Sequence, residues 1–196
     1  MPAIRHAILP SLCCAAFGLG LLAMAGHAQG QSLGAAGGPT AAIATPSAPE
    51  DVLRLMRAGQ LDEAGALITN GLENQPGNPQ LRFLKGMLEN ERGLQDEAYT
   101  TFQRLTQDFP ELPEPYNNLA VLEAARNRLP EALALLEAAI RLNPDYATAH
   151  QNLGDIHARL AARSYARALT LDPGNPVLRP RITTLDQLLA SPVATR

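Results

Sequence analysis

A spacing of 34 residues recurs along the middle of the chain, and it constrains the fold more than any other feature. Three prolines keep this interval, since 110 − 76 = 34 and 144 − 110 = 34: Pro76, Pro110 and Pro144. Four further sets of equivalent residues, here called columns, recur at the same interval. One column is acidic (Glu63, Glu97, Glu131), two have small residues (Ala64, Ala98, Ala132 and Gly86, Ala120, Gly154), and one has turn residues (Gly59, Gly93, Asn127). Such a pattern indicates tandem copies of one supersecondary unit.

Each column has a physical role in a pair of helices. Glycine and asparagine adopt the left-handed conformation most cheaply, so the turn column marks the end of a first helix. Asp62 and Asp96 follow as N-terminal signals for a second helix, and the third unit has Pro130 instead. The glutamates lie in the first turn, where the helix dipole favours acid. Small residues are predicted where the helices cross, and the prolines end the second helix.

The unit resembles the tetratricopeptide repeat family, a helix–turn–helix of this length with small residues at fixed offsets and a closing proline. The match is best in the third unit, in the stretches Tyr-Asn-Asn-Leu-Ala at 116–120, Pro-Glu-Ala-Leu at 130–133 and Ala-Ile-Arg-Leu-Asn-Pro at 139–144. The resemblance covers residues 49–175 and implies an all-α fold, an α-solenoid of three regular units and an irregular fourth.

The second unit departs from the pattern of the third. It has Arg82 where the third has Tyr116, so we expect its first helix to bury a shifted apolar face, which consists of Leu81, Leu84 and Leu88.

The fourth unit lacks its turn. Its closing Pro173 comes five residues early, since 144 + 34 = 178 and 178 − 173 = 5, and no helix breaker lies between Asp155 and Thr170. We therefore predict one long helix from about Ala147 to Leu171, with a tight bend near residues 160–163 as the alternative. Residues 176–190 have leucines and an isoleucine at helical spacing, and they are predicted to form a capping helix that covers the open end of the solenoid.

The N-terminal segment has the features of a secretory signal peptide. Arg5 precedes an apolar stretch that ends in small residues, so residues 1–28 are predicted to be removed, with cleavage after Ala28 or, as a second choice, Ala25. The alternative is an uncleaved membrane anchor. Both cysteines lie in this segment, so the mature chain would have none. Residues 29–48 are rich in Gly, Ala, Pro and Ser without charge, and they are predicted to form a flexible linker.

No pattern typical of an enzyme is found. Phosphate loops, nucleophile elbows, zinc spacings and dinucleotide fingerprints do not occur. His150, Asp155 and His157 are close in sequence, but in repeat register His150 replaces Tyr116, which favours a packing role. We expect no catalytic activity, no cofactor and no metal. The formal net charge of −3 offers no electrostatic footprint for a nucleic acid, and no membrane span is expected after signal cleavage.

The resemblance implies that the first helices line a concave groove that binds a protein or peptide. The candidate groove residues carried over by register are Phe83, Met87, Asn90, Asn117, Asn118, Val121, Gln151, Asn152 and Asp155. Asn118 and Asn152 correspond to the family's groove asparagine, although each could instead cap or bridge helices. Phe83 and Met87 form either an apolar anchor site or a packing pair with the first unit. The basic residues that grip a terminal carboxylate in chaperone-binding members are absent.

Two functions remain open from the sequence. The first is a non-catalytic adaptor of the bacterial periplasm or cell envelope that binds a partner segment in the groove. The second is a structural subunit of an envelope assembly that oligomerises through the long fourth helix and the cap.

Overall fold

The structure, a computed structural model, describes residues 49–190. In this range the chain is all α-helical: α1 (Pro49–Arg57), α2 (Leu61–Asn74), α3 (Pro79–Glu91), α4 (Gln95–Asp108), α5 (Pro113–Ala125), α6 (Leu129–Leu142), α7 (Ala147–Leu171) and α8 (Leu178–Ala190). The predicted signal peptide (1–28) and linker (29–48) lie outside the described residues. The expected all-α solenoid is confirmed.

Consecutive helices pair as α1 with α2, α3 with α4 and α5 with α6, and each pair packs on the first helix of the next unit. The apolar core follows this arrangement. One cluster joins α1, α2 and α3, a second joins α3, α4 and α5, and a third joins α5, α6 and α7. Each unit therefore completes its core with its neighbour, as in other solenoids. The shifted apolar face of α3 is confirmed, because Leu81, Leu84 and Leu88 are all buried.

The turn column behaves as predicted. Gly59, Gly93 and Asn127 have φ values of +73°, +76° and +62°, and Asn127 is the one non-glycine residue with a positive φ in the described range. Each ends a first helix in the left-handed region, where asparagine costs less than other side chains. The second helices end at Asn74, Asp108 and Leu142, two residues before the column of prolines.

Aspartates mark the start of the second helices α2 and α4, as predicted, but they do not cap them. No side chain caps α2 or α4, whose N-cap positions are Gln60 and Leu94. Asp62 and Asp96 lie in the first turn of these helices.

Each of these aspartates pairs with an arginine from the end of the next unit's first helix. Arg92 donates to Asp62 Oδ1 at 2.8 Å and to the Leu61 carbonyl at 2.9 Å, while Arg126 pairs with Asp96. The arginines are also 34 residues apart (126 − 92 = 34). The aspartates thus lie in the first turn of the second helices, as predicted, and they also link adjacent units.

The column of small residues is packed against a second helix at Gly86 and Ala120, but not at Gly154. A Cβ built on Gly86 would lie 2.7 Å from Cε1 of Phe102, and Ala120 is 1% exposed beside α6. A Cβ on Gly154 would meet nothing within 4 Å. No second helix of the fourth unit covers Gly154, which agrees with the prediction that this unit is one long helix.

The fourth unit is the predicted single helix. α7 is one uninterrupted helix of 25 residues, and α8 packs against it. Arg181 of α8 lies over the Tyr165 ring at 5.4 Å from its centroid, and Leu178 is buried at the start of α8. The cap is only partial, since Leu188 remains 61% exposed.

Candidate functional site

The candidate surface is formed by the first helices α3, α5 and α7. Because α1 packs against α3 and α5 packs against α7, the first helices form one wall of the solenoid. Curvature in a solenoid makes such a wall an extended concave surface. The nine predicted groove residues all lie on these three helices.

One column of this wall is open to solvent. It takes one residue from each helix at the repeat interval (121 − 87 = 34 and 155 − 121 = 34): Met87, Val121 and Asp155. Val121 is 40% exposed, while Met87 and Asp155 are partly buried. The column thus offers two apolar contacts followed by a negative charge.

The asparagines do not all face outwards. Asn117 is fully buried, and its Oδ1 accepts a 2.8 Å hydrogen bond from Asn152 Nδ2, which joins α5 to α7. Asn118 is half-buried, and its Nδ2 donates to the carbonyl of Glu114 one turn earlier at 2.9 Å. Asn152 therefore bridges two helices, which was the alternative to a groove role, whereas Asn118 forms a hydrogen bond within its own helix.

The amide nitrogen of Asn117 has no hydrogen-bond partner among the described residues. An unpaired buried donor costs about 1–3 kcal/mol. Because Asn117 is 0% exposed, this donor is enclosed where α5 meets α7 and is not open to a partner.

Phe83 and Met87 are part of the core edge. The Phe83 ring lies 5.6 Å from that of Phe102, measured between centroids, so it packs against the second helix of its own unit rather than the first unit. Met87 contacts both the first and second clusters. Of the remaining candidates, Asn90 is half-buried and Gln151 is exposed.

The histidines of α7 have structural surroundings. His150 Nε2 lies 2.8 Å from the carbonyl of Pro144, and Tyr116 donates to the equivalent carbonyl of Pro110 at 3.3 Å. This shared contact confirms that His150 occupies the register position of Tyr116. Between residues 49 and 190, no three His, Cys, Asp or Glu side chains are grouped so that they could hold a metal ion.

A polar cluster beside the wall was missed by sequence reasoning. The side chain of Glu123 is 3% exposed and pairs with Arg128 Nε at 2.8 Å, and the Tyr99 hydroxyl donates to the same carboxylate. The Arg126 guanidinium lies 4.5 Å from the Tyr99 ring centroid. Burial, followed by the hydrogen bond to Glu123, raises the pKa of Tyr99 above its usual value. The cluster ties α4 to α5 and the following turn.

Comparison with known families agrees with this geometry. The family described as "Tetratricopeptide repeat" matches residues 52–113, and the one described as "TPR repeat" matches residues 122–160. The chain contains tetratricopeptide repeats. Such repeats generally mediate protein–protein interactions and are generally not catalytic.

A solved structure with the same fold is the thermophilic tetratricopeptide protein TTC0263 of Thermus thermophilus. It is 25% identical to this chain with a TM-score of 0.53, and the match covers 73% of this chain and 84% of that one.

Two curated plant proteins also match over the repeats. The chloroplastic tetratricopeptide repeat domain-containing protein PYG7 of Arabidopsis thaliana is 36% identical over 84 residues, which are 40% of this chain and 28% of that protein. The Hsp70-Hsp90 organizing protein of Triticum aestivum is 33% identical over 82 residues, 39% of this chain and 14% of that protein. The chain therefore spans less than a third of the curated relatives it matches.

Within residues 49–190, no helix has both the length and the apolar character needed to cross a membrane.

Proposed function

We propose that this protein is a non-catalytic adaptor that binds an extended segment of a partner protein along the first-helix wall. The observation that carries the proposal is the open column of Met87, Val121 and Asp155. Val121 is exposed and Met87 is half-buried at the edge of the core, so the two side chains present an apolar contact surface on the first-helix wall.

The polar groups near this column suit a peptide backbone. The side-chain oxygen of Asn118, which is half-buried on α5, is an acceptor for a partner N–H. Side-chain amides of this kind hold an extended chain without reading its sequence. The carboxylate of Asp155 at the α7 end favours a segment that is neutral or basic there and disfavours a free C-terminal carboxylate.

We place this adaptor in the bacterial periplasm or cell envelope. The support is the sequence of residues 1–28, in which a positive start, an apolar stretch and small residues follow one another. N-terminal sequencing of exported protein tests this placement. A mature chain that begins at Gln29 is expected, and a chain that keeps Met1 in the membrane fraction would contradict it.

Groove binding is tested by a matched pair of charge substitutions. Val121→Asp changes the open column, whereas Leu142→Asp changes a second helix at nearly the same exposure, 42% against 40%. Both variants should keep wild-type helicity by circular dichroism, because neither side chain is buried. We expect Val121→Asp to weaken capture of the partner from the native envelope at least tenfold, since apolar anchors commonly contribute more than ~1 kcal/mol and a buried unpaired charge adds to the loss.

Leu142→Asp should bind the partner like the wild type. Equal binding by both variants, with both folded, would place the partner away from the first helices and refute the proposal.

A further inference from the structure

A pocket of about 590 Å³, here called the Gly65 pocket, lies where α2 meets α3. None of the nine groove candidates lines it. The residues that matter for its chemistry come from α2, from α3 and from the turn after α3: Gly65, Ala66, Leu88, Glu89, Arg92 and Leu94.

The pocket exists because Gly65 has no side chain. The equivalent residues of the next two units are Tyr99 and Leu133 (99 − 65 = 34 and 133 − 99 = 34), and both pack against a core cluster. A Cβ built on Gly65 would lie 3.0 Å from Arg92 Nη2 and 3.4 Å from Leu88 Cδ2. The first unit therefore has a gap where the other two units have a side chain.

The groups that hold Tyr99 also occur around this gap, one repeat earlier. The Tyr99 ring lies beside the guanidinium of Arg126, and its hydroxyl donates to Glu123. The equivalent residues are Arg92 and Glu89 (126 − 92 = 34 and 123 − 89 = 34), and both line the Gly65 pocket. The cation and the acceptor of a tyrosine site are thus in place without a tyrosine.

Both groups are held by contacts that a bound ring would not have to break. Arg92 donates to Asp62, and the equivalent pair of the next unit coexists with an aromatic ring. The side chain of Glu89 is 14% exposed, pairs with Lys85 and accepts a 2.7 Å hydrogen bond from Thr101 of α4. Because a carboxylate has about four acceptor sites, Glu89 can also accept a hydrogen bond from a phenol.

The remaining walls of the pocket are apolar. Leu88 is buried, and Leu94 at the rim is 42% exposed. In the next unit the position of Leu94 is taken by Arg128, which pairs with Glu123 (128 − 94 = 34). The Gly65 pocket therefore combines two leucines, a guanidinium and a carboxylate, which suits a side chain with an apolar ring and a polar tip.

We propose that the Gly65 pocket binds the side chain of a tyrosine from a partner protein. The ring packs on Leu88 and Leu94, the guanidinium of Arg92 lies against its face, and its hydroxyl donates to Glu89. The rim residues Ala66 and Leu94 are exposed, so a side chain can enter while the backbone that carries it stays outside.

The chain itself does not supply this tyrosine. All four of its tyrosines lie within the described residues 49–190, and each is buried or half-buried: Tyr99, Tyr116, Tyr146 and Tyr165. The flanking segments therefore have no tyrosine to offer, and a second copy of the chain would have to expose one that is packed. A different protein is the source that agrees with these observations.

Binding of N-acetyltyrosinamide to the purified full chain tests the chemistry of the pocket. NMR signals of the Leu88 methyl groups and of the Arg92 side-chain N–H report on the site. We expect saturable shifts with a dissociation constant on the order of 1 mM, because a ligand of this size gains little affinity from one pocket. N-acetylphenylalaninamide lacks the hydroxyl and should bind roughly threefold more weakly or worse. Equal binding of the two amides, or no saturation at about 20 times the expected constant, would overturn the proposal.

Gly65→Tyr is the deciding variant, because it puts the protein's own ring into the gap, as Tyr99 does in the next unit. The closest atom to the new Cβ is the end of the flexible Arg92 side chain, so the variant should fold. Its unfolding midpoint should rise, since glycine is the weaker helix former, and it should bind the tyrosine amide at least tenfold more weakly. A folded Gly65→Tyr with wild-type affinity would refute the assignment.

The matched control is Ala134→Tyr, which adds a tyrosine at an exposed position of the second helix α6. This variant should bind the amide like the wild type. Val121→Asp should also keep this affinity, because Val121 does not line the Gly65 pocket. Failure of groove binding and failure of the tyrosine site are therefore distinguishable.

Arg92→Ala tests the site without adding a side chain. It should stay folded, because its partner Asp62 is fully exposed. Loss of the guanidinium should weaken binding of the tyrosine amide about two- to fivefold, the range for an exposed cation–π contact. Unchanged affinity would show that the ring does not lie against Arg92.

Photocrosslinking from Ala66 in the native cell tests the source of the tyrosine, because Ala66 is an exposed residue of the pocket lining. Mass spectrometry should identify a crosslinked partner peptide that contains a tyrosine. The crosslink should disappear when Gly65→Tyr is added. A peptide without tyrosine, a crosslink that persists in Gly65→Tyr, a crosslinked small molecule or no crosslinked protein at all would overturn the assignment to a partner protein.

Discussion

The same substitution at two register-equivalent glycines should have opposite effects on stability. Gly86 and Gly154 occupy the same position of their first helices, one in the second unit and one in the fourth. Replacing either by alanine improves helix propensity by about 0.5–1 kcal/mol. The surroundings of the new methyl group then decide the sign.

At Gly86 the methyl group has no room. It would lie 2.7, 2.9 and 3.1 Å from three carbons of the Phe102 ring, and this ring is 1% exposed within a packed cluster. A stiff buried ring yields only if its neighbours shift, and such overpacking typically costs about 1–3 kcal/mol. Gly86→Ala should therefore destabilise the protein by a net ~1 kcal/mol, whereas Gly154→Ala, with nothing within 4 Å, should stabilise it by ~0.5–1 kcal/mol.

Urea unfolding followed by circular dichroism measures the difference. Both variants and the wild type are compared at a concentration where each is monomeric by mass, so that self-association does not contribute. The midpoint of Gly86→Ala should fall and that of Gly154→Ala should rise. If Gly154→Ala were as destabilised as Gly86→Ala, a second helix would have to cover Gly154 within the chain, and the account of the fourth unit would be refuted.

Three further predictions concern the packing between helices. Ala132→Leu should cost ~1–3 kcal/mol in thermal unfolding, because Ala132 is 0% exposed where α6 meets its neighbours, and an unchanged midpoint would show that the crossing is elsewhere. Arg92→Ala should cost under ~1 kcal/mol, since its partner Asp62 is fully exposed, and a larger loss in urea unfolding would mean that the link between units is stronger than its geometry indicates. The pKa of Tyr99 is raised in the folded state, so the stabilisation that this residue contributes is present below pH ~10 and is lost as the pH rises through the folded-state pKa. Tyr99→Phe should therefore make the free energy of unfolding less dependent on pH in the alkaline range. The same pH dependence in the variant and the wild type would contradict this.

Much of the fold was predictable because equivalent positions in successive repeats have the same conformational requirement. The left-handed turn at Asn127, for example, could be read from Gly59 and Gly93 at the same register position. The length of α7 followed from the absence of any breaker where the turn residues should be. In each case the decisive cause was local, in backbone conformation or helix propensity.

What the sequence did not predict depends on contacts between units. The pairs of Arg92 with Asp62 and Arg126 with Asp96 keep the repeat interval and could have been found as a second acidic and basic column. The buried state of Asn117 had no such signal, because it depends on how α5 and α7 meet.

Several of the predicted groove residues are not available to a partner. All nine residues lie on the first helices, yet Phe83 and Asn117 are engaged in packing, and the surface that is open for a partner is narrower than the register alone indicates. Gly154 keeps the small residue of its column although no second helix of its unit crosses it, because the fourth unit lacks the turn.

Site-specific photocrosslinking in the native cell tests the central claim most directly, with the reactive side chain placed once at Val121 on the first-helix wall and once at Glu137 on α6. Both positions are exposed, so both variants should fold and be exported equally. The account predicts that Val121 crosslinks to a distinct partner protein and that Glu137 does not. The same partner captured equally from both positions, or from Glu137 alone, would contradict binding along the first helices.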